Sequence, residues 1–408
     1  MADHRSPGSL ARVWGEVGRE ESVVMHAVEL WAVEVPLREP VHTARGTHRS
    51  RPLVMVRVMA LADGTPTEGW GECAALADTT FDREDAAGSY ATLERLLVPA
   101  LVGSVAAASG LLPRPSHLEA VRRAAPGAPL AFAALEMAVA DAHLRAGHSS
   151  LAGLLAVEAN PVPIGAVVGQ VESTDLLVER VWTLTEQGFS RVKVKIAPGW
   201  DLDPVGEVRS VFPGLRVQAD ANGSYRRRDG DRLAALDAFG LLCLEQPLDR
   251  ADLAGHAELA ARMETPICLD ESLDSPDAVE QALAMGACSV VCLKPARLGG
   301  LGPALEVIDH CTGAGIPLWM GGMFESGYAR GVNTALAALP GFSWPGDLSP
   351  ARSYLQHDLV PEAPLLRVGP ARVLAAPPPL DGGMGPRPEL RSLERFRTRW
   401  VRIDVPRP

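Results

Sequence analysis

Apolar and polar positions follow two different patterns along the chain. Near the start, VELWAVEVPL and PLVMVRVMAL are valine-rich with partial alternation, and EGWGECAAL follows the Asp63-Gly64 turn. These runs read as strands. Over residues 82–156 alanine and leucine recur at helical spacing, as in PLAFAALEMAVADAHLRAG. Strands followed by helices predict an α+β module over residues 26–158, preceded by a charged, irregular tail at residues 1–25 that is expected to be flexible. From residue 159 to 375 the pattern changes to short apolar runs separated by amphipathic stretches that tend to end at a glycine. The runs are PVPIGAVVG, RVKVKIA, LRVQADANG, LLCLEQPL, TPICLDES, SVVCLKPARLGG and IPLWMGGM, and PGDLS offers an eighth. Strands and helices in that rhythm predict a parallel sheet, most economically a (β/α) barrel.

Composition narrows the function classes. A formal net charge of −11 over 408 residues argues against a partner that is nucleic acid or an acidic membrane. The six cysteines form no Cys-x-x-Cys pair, so neither a zinc site nor a disulfide framework is expected. The first 25 residues lack the apolar core of a signal peptide. The apolar stretch over residues 96–112 is interrupted by Pro99, Gly103, Ser104 and Gly110, which predicts no membrane span. The expectation is a cytoplasmic enzyme.

The chemistry lies in a spacing. Lys195, Asp220, Glu245, Asp270 and Lys294 end successive apolar runs at intervals of 25, 25, 25 and 24 residues. One unit of a typical barrel occupies roughly thirty residues, so the five fall at equivalent positions around the mouth where such barrels build active sites. Singly, each has a bland reading: a solvated strand face for Lys193 and Lys195, a helix cap for Asp220, a solvated pair for Asp270 and Glu271, a loop lysine for Lys294. The shared register outweighs these. Three converging carboxylates repel unless a cation sits among them, and hard oxygen donors suit Mg²⁺, with Mn²⁺ or another divalent ion as substitutes. Lys193 lies on the same side of its strand as Lys195, and together with the metal it is expected to lower the Lys195 pKa towards that of a general base.

These residues resemble the enolase superfamily, and within it the o-succinylbenzoate synthase and N-acylamino-acid racemase family. The strings that carry the resemblance are RVKVKIAPGWD, QADANGSY, CLEQPL, TPICLDES, LKPARLGG, GGMFESGYARGVNTALAALPGF and PGDLS, with GWGEC and LAFAALEMAVADAHL upstream. The resemblance implies an α/β fold, a (β/α) barrel of modified TIM type with an α+β capping domain completed by residues 376–408. A lysine base beside Mg²⁺ is a known feature of that superfamily. Position by position, it implies Asp220, Glu245 and Asp270 as metal ligands, and Lys195 and Lys294 as acid/base groups on opposite faces of the substrate. Lys193 would help hold the substrate carboxylate, Asn222 and Glu271 would orient the ligands, and Gly321, Gly322 and Met323 would floor the acyl pocket.

The implied reaction removes the α-proton of a small-molecule carboxylate to give an enediolate. Racemisation of an N-acyl amino acid, such as an N-succinyl amino acid, is the favoured outcome. Dehydration to o-succinylbenzoate is the alternative, and dipeptide epimerase, muconate-type cycloisomerase and a non-catalytic binding protein rank below. A homo-oligomer is expected. This sequence departs from the family where Val167 replaces a serine, where Phe324, Tyr328 and Ala329 replace small or aliphatic choices, and where Arg45 stands beside His42 in the loop VHTARGTHRS. An arginine over the mouth would bind a second substrate carboxylate; the alternative is a solvent-exposed loop arginine.

Overall fold

A computed structural model describes residues 9–20, 22–43, 46–157, 160–361, 365–380 and 382–406. Three long strands open the cap, β1 (Val23–Thr43), β2 (Gly46–Ala62) and β3 (Thr65–Cys73). They pair antiparallel in consecutive order. The 18-residue helix Pro129–Ala146 lies across this sheet with nearly all its residues buried. The glycines of GWGEC make that approach possible. A Cβ on Gly69 would lie 2.1 Å from the Ala138 carbonyl oxygen, and one on Gly71 1.9 Å from that of Ala134. Alanines every fourth residue on the helix meet glycines every second residue on the strand, so backbone packs on backbone.

The catalytic-sized domain is a seven-stranded parallel sheet whose strands neighbour one another in sequence order. After the short β4 (Val162–Pro163), these are β5 (Ala166–Val168), β6 (Arg191–Lys195), β7 (Arg216–Asp220), β8 (Leu244–Glu245), β9 (Ile267–Leu269), β10 (Val290–Leu293) and β11 (Leu318–Met320). The eighth position, expected near PGDLS, is filled without a regular strand. Leu318 bridges Phe342 and Ile164 bridges Gly346, so residues 342–346 link the last stave to the first. β12 (Leu366–Val368) and β13 (Val373–Ala376) form a small antiparallel sheet with β4. The terminal β14 (Arg397–Asp404) returns to the cap and pairs with the outer edge of β1, Trp31 opposite Trp400.

Two expectations need correction. The stretch expected to be a flexible tail contains a helix, Ser9–Glu16, docked on the barrel helix Leu301–Ala314. Its Leu10 and Trp14 are buried, and the Leu10 amide donates to the Asp309 carboxylate. Burial of apolar side chains and a capped amide end hold a segment whose charges had suggested disorder. The breaks at Pro99 and Gly103 do not interrupt the helical run Ala86–Ala107, which by length and composition alone is enough to cross a bilayer. A π-turn at Leu93–Leu97 leads into Pro99, and Leu93, Leu97, Val98 and Leu101 pack into the cap core.

Candidate active site

Lys195, Asp220 and Glu245 are the last residues of β6, β7 and β8, and Asp270 and Lys294 come directly after β9 and β10. Lys195 pairs in register with Asp220, and Asp220 with Glu245. Parallel neighbours therefore deliver these side chains together to the carboxyl end of the barrel. Two residues back lies a lower layer of Lys193, Gln218, Cys243, Cys268 and Cys292, all buried. Gln218 Nε2 donates to Glu245 Oε2 at 2.7 Å, and the Lys193 ammonium lies 4.8 Å from the centre of the Trp319 ring.

The two mouth lysines stand on different acids. Lys195 Nζ is 2.6 Å from Asp220 Oδ2 and donates to Asn222 Oδ1 at 2.6 Å. Lys294 Nζ is 2.7 Å from Asp270 Oδ2. Lys193 Nζ sits lower, 3.3 Å from Asp220, 3.1 Å from Glu245 and 2.9 Å from Asp347. Asn222 Nδ2 donates to Glu271 Oε1 at 2.8 Å, while the other Glu271 oxygen is buried without a partner.

These neighbours set the charge states. Burial pushes the Glu245 carboxyl up to about 8, with Asp220 adding repulsion that Lys193 only partly offsets. Burial also opposes ionisation of Asp270, yet Arg297 and Lys294 outweigh it and hold that carboxyl well below its ordinary range. For Lys193, burial is overcome by Asp347, Glu245 and Asp220, which raise it well above the usual lysine value. Lys294 is raised as well, because Asp270 outweighs burial and the repulsion from Arg297.

Ligand atoms of Glu245, Asp270 and Cys292 lie within 4.8 Å of one another, and Asp220 is tied to Glu245 through Lys193. Burial drives the Cys292 thiol far above its ordinary value, so it is neutral and offers little to a hard ion. Glu245 is held near 8 chiefly by burial, with repulsion from Asp220 and Asp270 added, and a divalent cation among these hard oxygen donors would relieve that repulsion. The donor set fits such an ion.

Gly321 and Gly322 directly follow β11. A Cβ on Gly321 would come within 2.6 Å of Lys294 Cε, and one on Gly322 within 3.0 Å of the Asp347 carbonyl oxygen, so the glycines leave room for the lysine stem. Met323 packs into the cap core. Val167 pairs in register with Lys193 and is 45% exposed, which places an apolar side chain on the layer below the mouth. Arg45 lies outside the described residues.

Several neighbours of the site escaped the sequence reading. Arg297 bonds Asp270 and reaches Asp82 of the cap at 2.8 Å. Asp347 joins Lys193 to the wholly buried Arg191. Gln246, at φ +39°, accepts the Asp270 amide at 3.0 Å and fixes that residue's backbone. Their signal was position alone: Arg297 in LKPAR, Asp347 in PGDLS, Gln246 in LEQPL. A cavity of about 240 Å³ at the seam between cap and barrel reaches the site through Glu271 and Arg297.

Comparison with known proteins follows the same division of the chain. Residues 25–156 match the mandelate racemase / muconate lactonizing enzyme N-terminal domain, and residues 176–385 match the enolase C-terminal domain-like family. An N-succinylamino acid racemase of Amycolatopsis sp is 40% identical over 90% of this chain and 96% of its own length. An o-succinylbenzoate synthase of Geobacillus stearothermophilus is 36% identical, covering 91% and 95%. A solved enolase-superfamily member from Listeria innocua superposes with a TM-score of 0.85 at 31% identity, covering 94% of this chain and all of that one.

Proposed function

Because the chain belongs to the enolase superfamily, in the family of o-succinylbenzoate synthases and N-succinylamino acid racemases, and is an isomerase or lyase, we propose that it racemises an N-acyl, and specifically an N-succinyl, amino acid. The observation that carries the reading is the pair of amines at opposite ends of one acidic cluster, Lys195 on Asp220 and Lys294 on Asp270.

Asp220, Glu245 and Asp270 are proposed to hold Mg²⁺, or Mn²⁺ in its place. The ion supplies positive charge that stabilises the substrate's carboxylate oxygens as the α-carbon loses its proton. One lysine, with Nζ neutral, accepts the α-proton from its side. The other, as an ammonium, returns a proton to the opposite side. Asn222 orients Lys195 through its amide oxygen, and Glu271 orients Asn222. Lys193 remains charged, balances Glu245 and Asp347, and assists carboxylate binding. Arg297 bonds both Asp270 and Asp82, and so ties the metal side of the barrel to the cap. Elimination of a β-hydroxyl to o-succinylbenzoate uses the same abstraction with one lysine as the base and the other as a fixed charge; the synthases among the relatives support this second reading.

Incubation with Mg²⁺ and N-succinyl amino acids in D₂O is expected to place deuterium at the α-carbon, and release of water from the synthase substrate separates the two outcomes. EDTA is expected to stop exchange, and Lys195→Ala or Lys294→Ala to abolish racemisation. Exchange that persists undiminished in EDTA and in both variants overturns the reading.

A further inference from the structure

Arg51, in β2 of the cap, is 3% exposed, and its guanidinium spends its bonds on backbone carbonyls. Nε donates to Phe324 O at 3.1 Å and Nη2 to Met323 O at 3.0 Å. The remaining donors go to Ala74, Ala75 and Pro52 of the cap. The two barrel carbonyls belong to the loop after β11, where Phe324 has φ +54°. For a non-glycine residue that left-handed conformation is strained, and such strain persists only where surroundings over-determine it. Here the groups that hold the Phe324 and Met323 carbonyls belong to the other domain. Glu72 of β3 completes the hold by accepting the Ser326 amide at 2.8 Å.

The conformation presents a ring. Phe324 is 39% exposed and meets Tyr354 edge-on at 5.2 Å. Three residues earlier Gly321 abuts the Lys294 stem. The ring therefore stands on the loop that rims the Lys294 side of the candidate site. We propose that Arg51 is a positioning residue that sets acyl-chain preference by holding the 323–324 carbonyls and so fixing Phe324 at that rim. The inference rests on the N-acyl amino acid reading above. A lysine replaces the guanidinium only in part, since one ammonium has three donors and no planar fork to span five carbonyls.

The test compares N-succinyl and N-acetyl derivatives of one amino acid in the Mg²⁺-loaded full chain. Arg51→Met is expected to raise KM for the preferred acyl chain about tenfold, as displacement of a positioning element does, and to leave kcat within about twofold. The preference between the two acyl chains is expected to collapse, and Arg51→Lys to recover part of it. In a Phe324→Gly background, where the left-handed conformation is unstrained and the ring is gone, adding Arg51→Met is expected to change the preference no further. A fall in kcat equal for both substrates, with preference intact, overturns the inference, as does an undiminished Arg51 effect in the glycine background. If Arg51→Met does not fold, Glu72→Gln, which weakens the hold on the Ser326 amide of the same loop, is read by the same criteria. Absence of α-exchange in the unsubstituted protein overturns the functional reading instead.

Discussion

Asp347 serves two buried cations at once, Arg191 at 2.7 Å and Lys193 at 2.9 Å. The two are not equally dependent on it. Lys193 keeps Glu245 and Asp220, whereas Arg191 is left with the Pro345 carbonyl and already has one nitrogen without a partner. Breaking a buried pair from one side costs about 3–5 kcal/mol. Asp347→Asn is therefore expected to lower the unfolding free energy in urea by about 3 kcal/mol, and an unchanged midpoint would contradict the role given to it. The contrast with Lys195 and Lys294 shows what a sequence reveals about single residues. Those lysines interrupt apolar runs at a fixed interval and announce themselves. Arg51 and Asp347 have partners that are backbone carbonyls or distant side chains, and an arginine in a strand reads as solvent-facing until its acceptors are known.

Packing of the helix Pro129–Ala146 on β3 depends on what Gly69 and Gly71 lack. Gly71→Ala places a methyl group 1.9 Å from a carbonyl oxygen, and forces helix and sheet apart along their whole contact. Overpacking of this kind costs about 1–3 kcal/mol and sometimes more. Gly127→Ala, with nothing within 4 Å, is the control expected to leave the thermal midpoint unchanged; equal effects of the two substitutions would sink the argument. Elements with a strong internal period were legible: the three cap strands, this helix and the barrel staves. The helix Ser9–Glu16 was not, because its apolar face is only Leu10, Trp14 and the nearby Val17 among charged neighbours. β14 was equally hidden. Six of its eight residues are exposed, and its partner is β1, at the far end of the chain.

Cap and barrel are joined at Glu136, which reaches from the cap helix to accept the amides of Leu301 at 2.6 Å and Gly302 at 3.2 Å. It thus caps the barrel helix that begins there. Burial pushes this carboxyl up to about 7 although both amides favour its charge. The unfolded chain releases the proton near 4.5, so between roughly 4.5 and 7 the folded state binds more protons. The stability this contributes is complete below about 4.5 and is lost as pH rises through 7. Glu136→Gln is expected to flatten the stability profile across that window in urea titrations, and parallel profiles would refute the linkage. The return of β14 to the outer edge of β1 has a different consequence, in time. Synthesis is vectorial, and β1 leaves the ribosome long before the residues that cover its edge. Until residues 397–404 have been made the newborn cap carries a bare row of amides and carbonyls, the kind that recruits strands from other chains. Tolerance of that interval falls to chaperones and to the pace of elongation between the two strands.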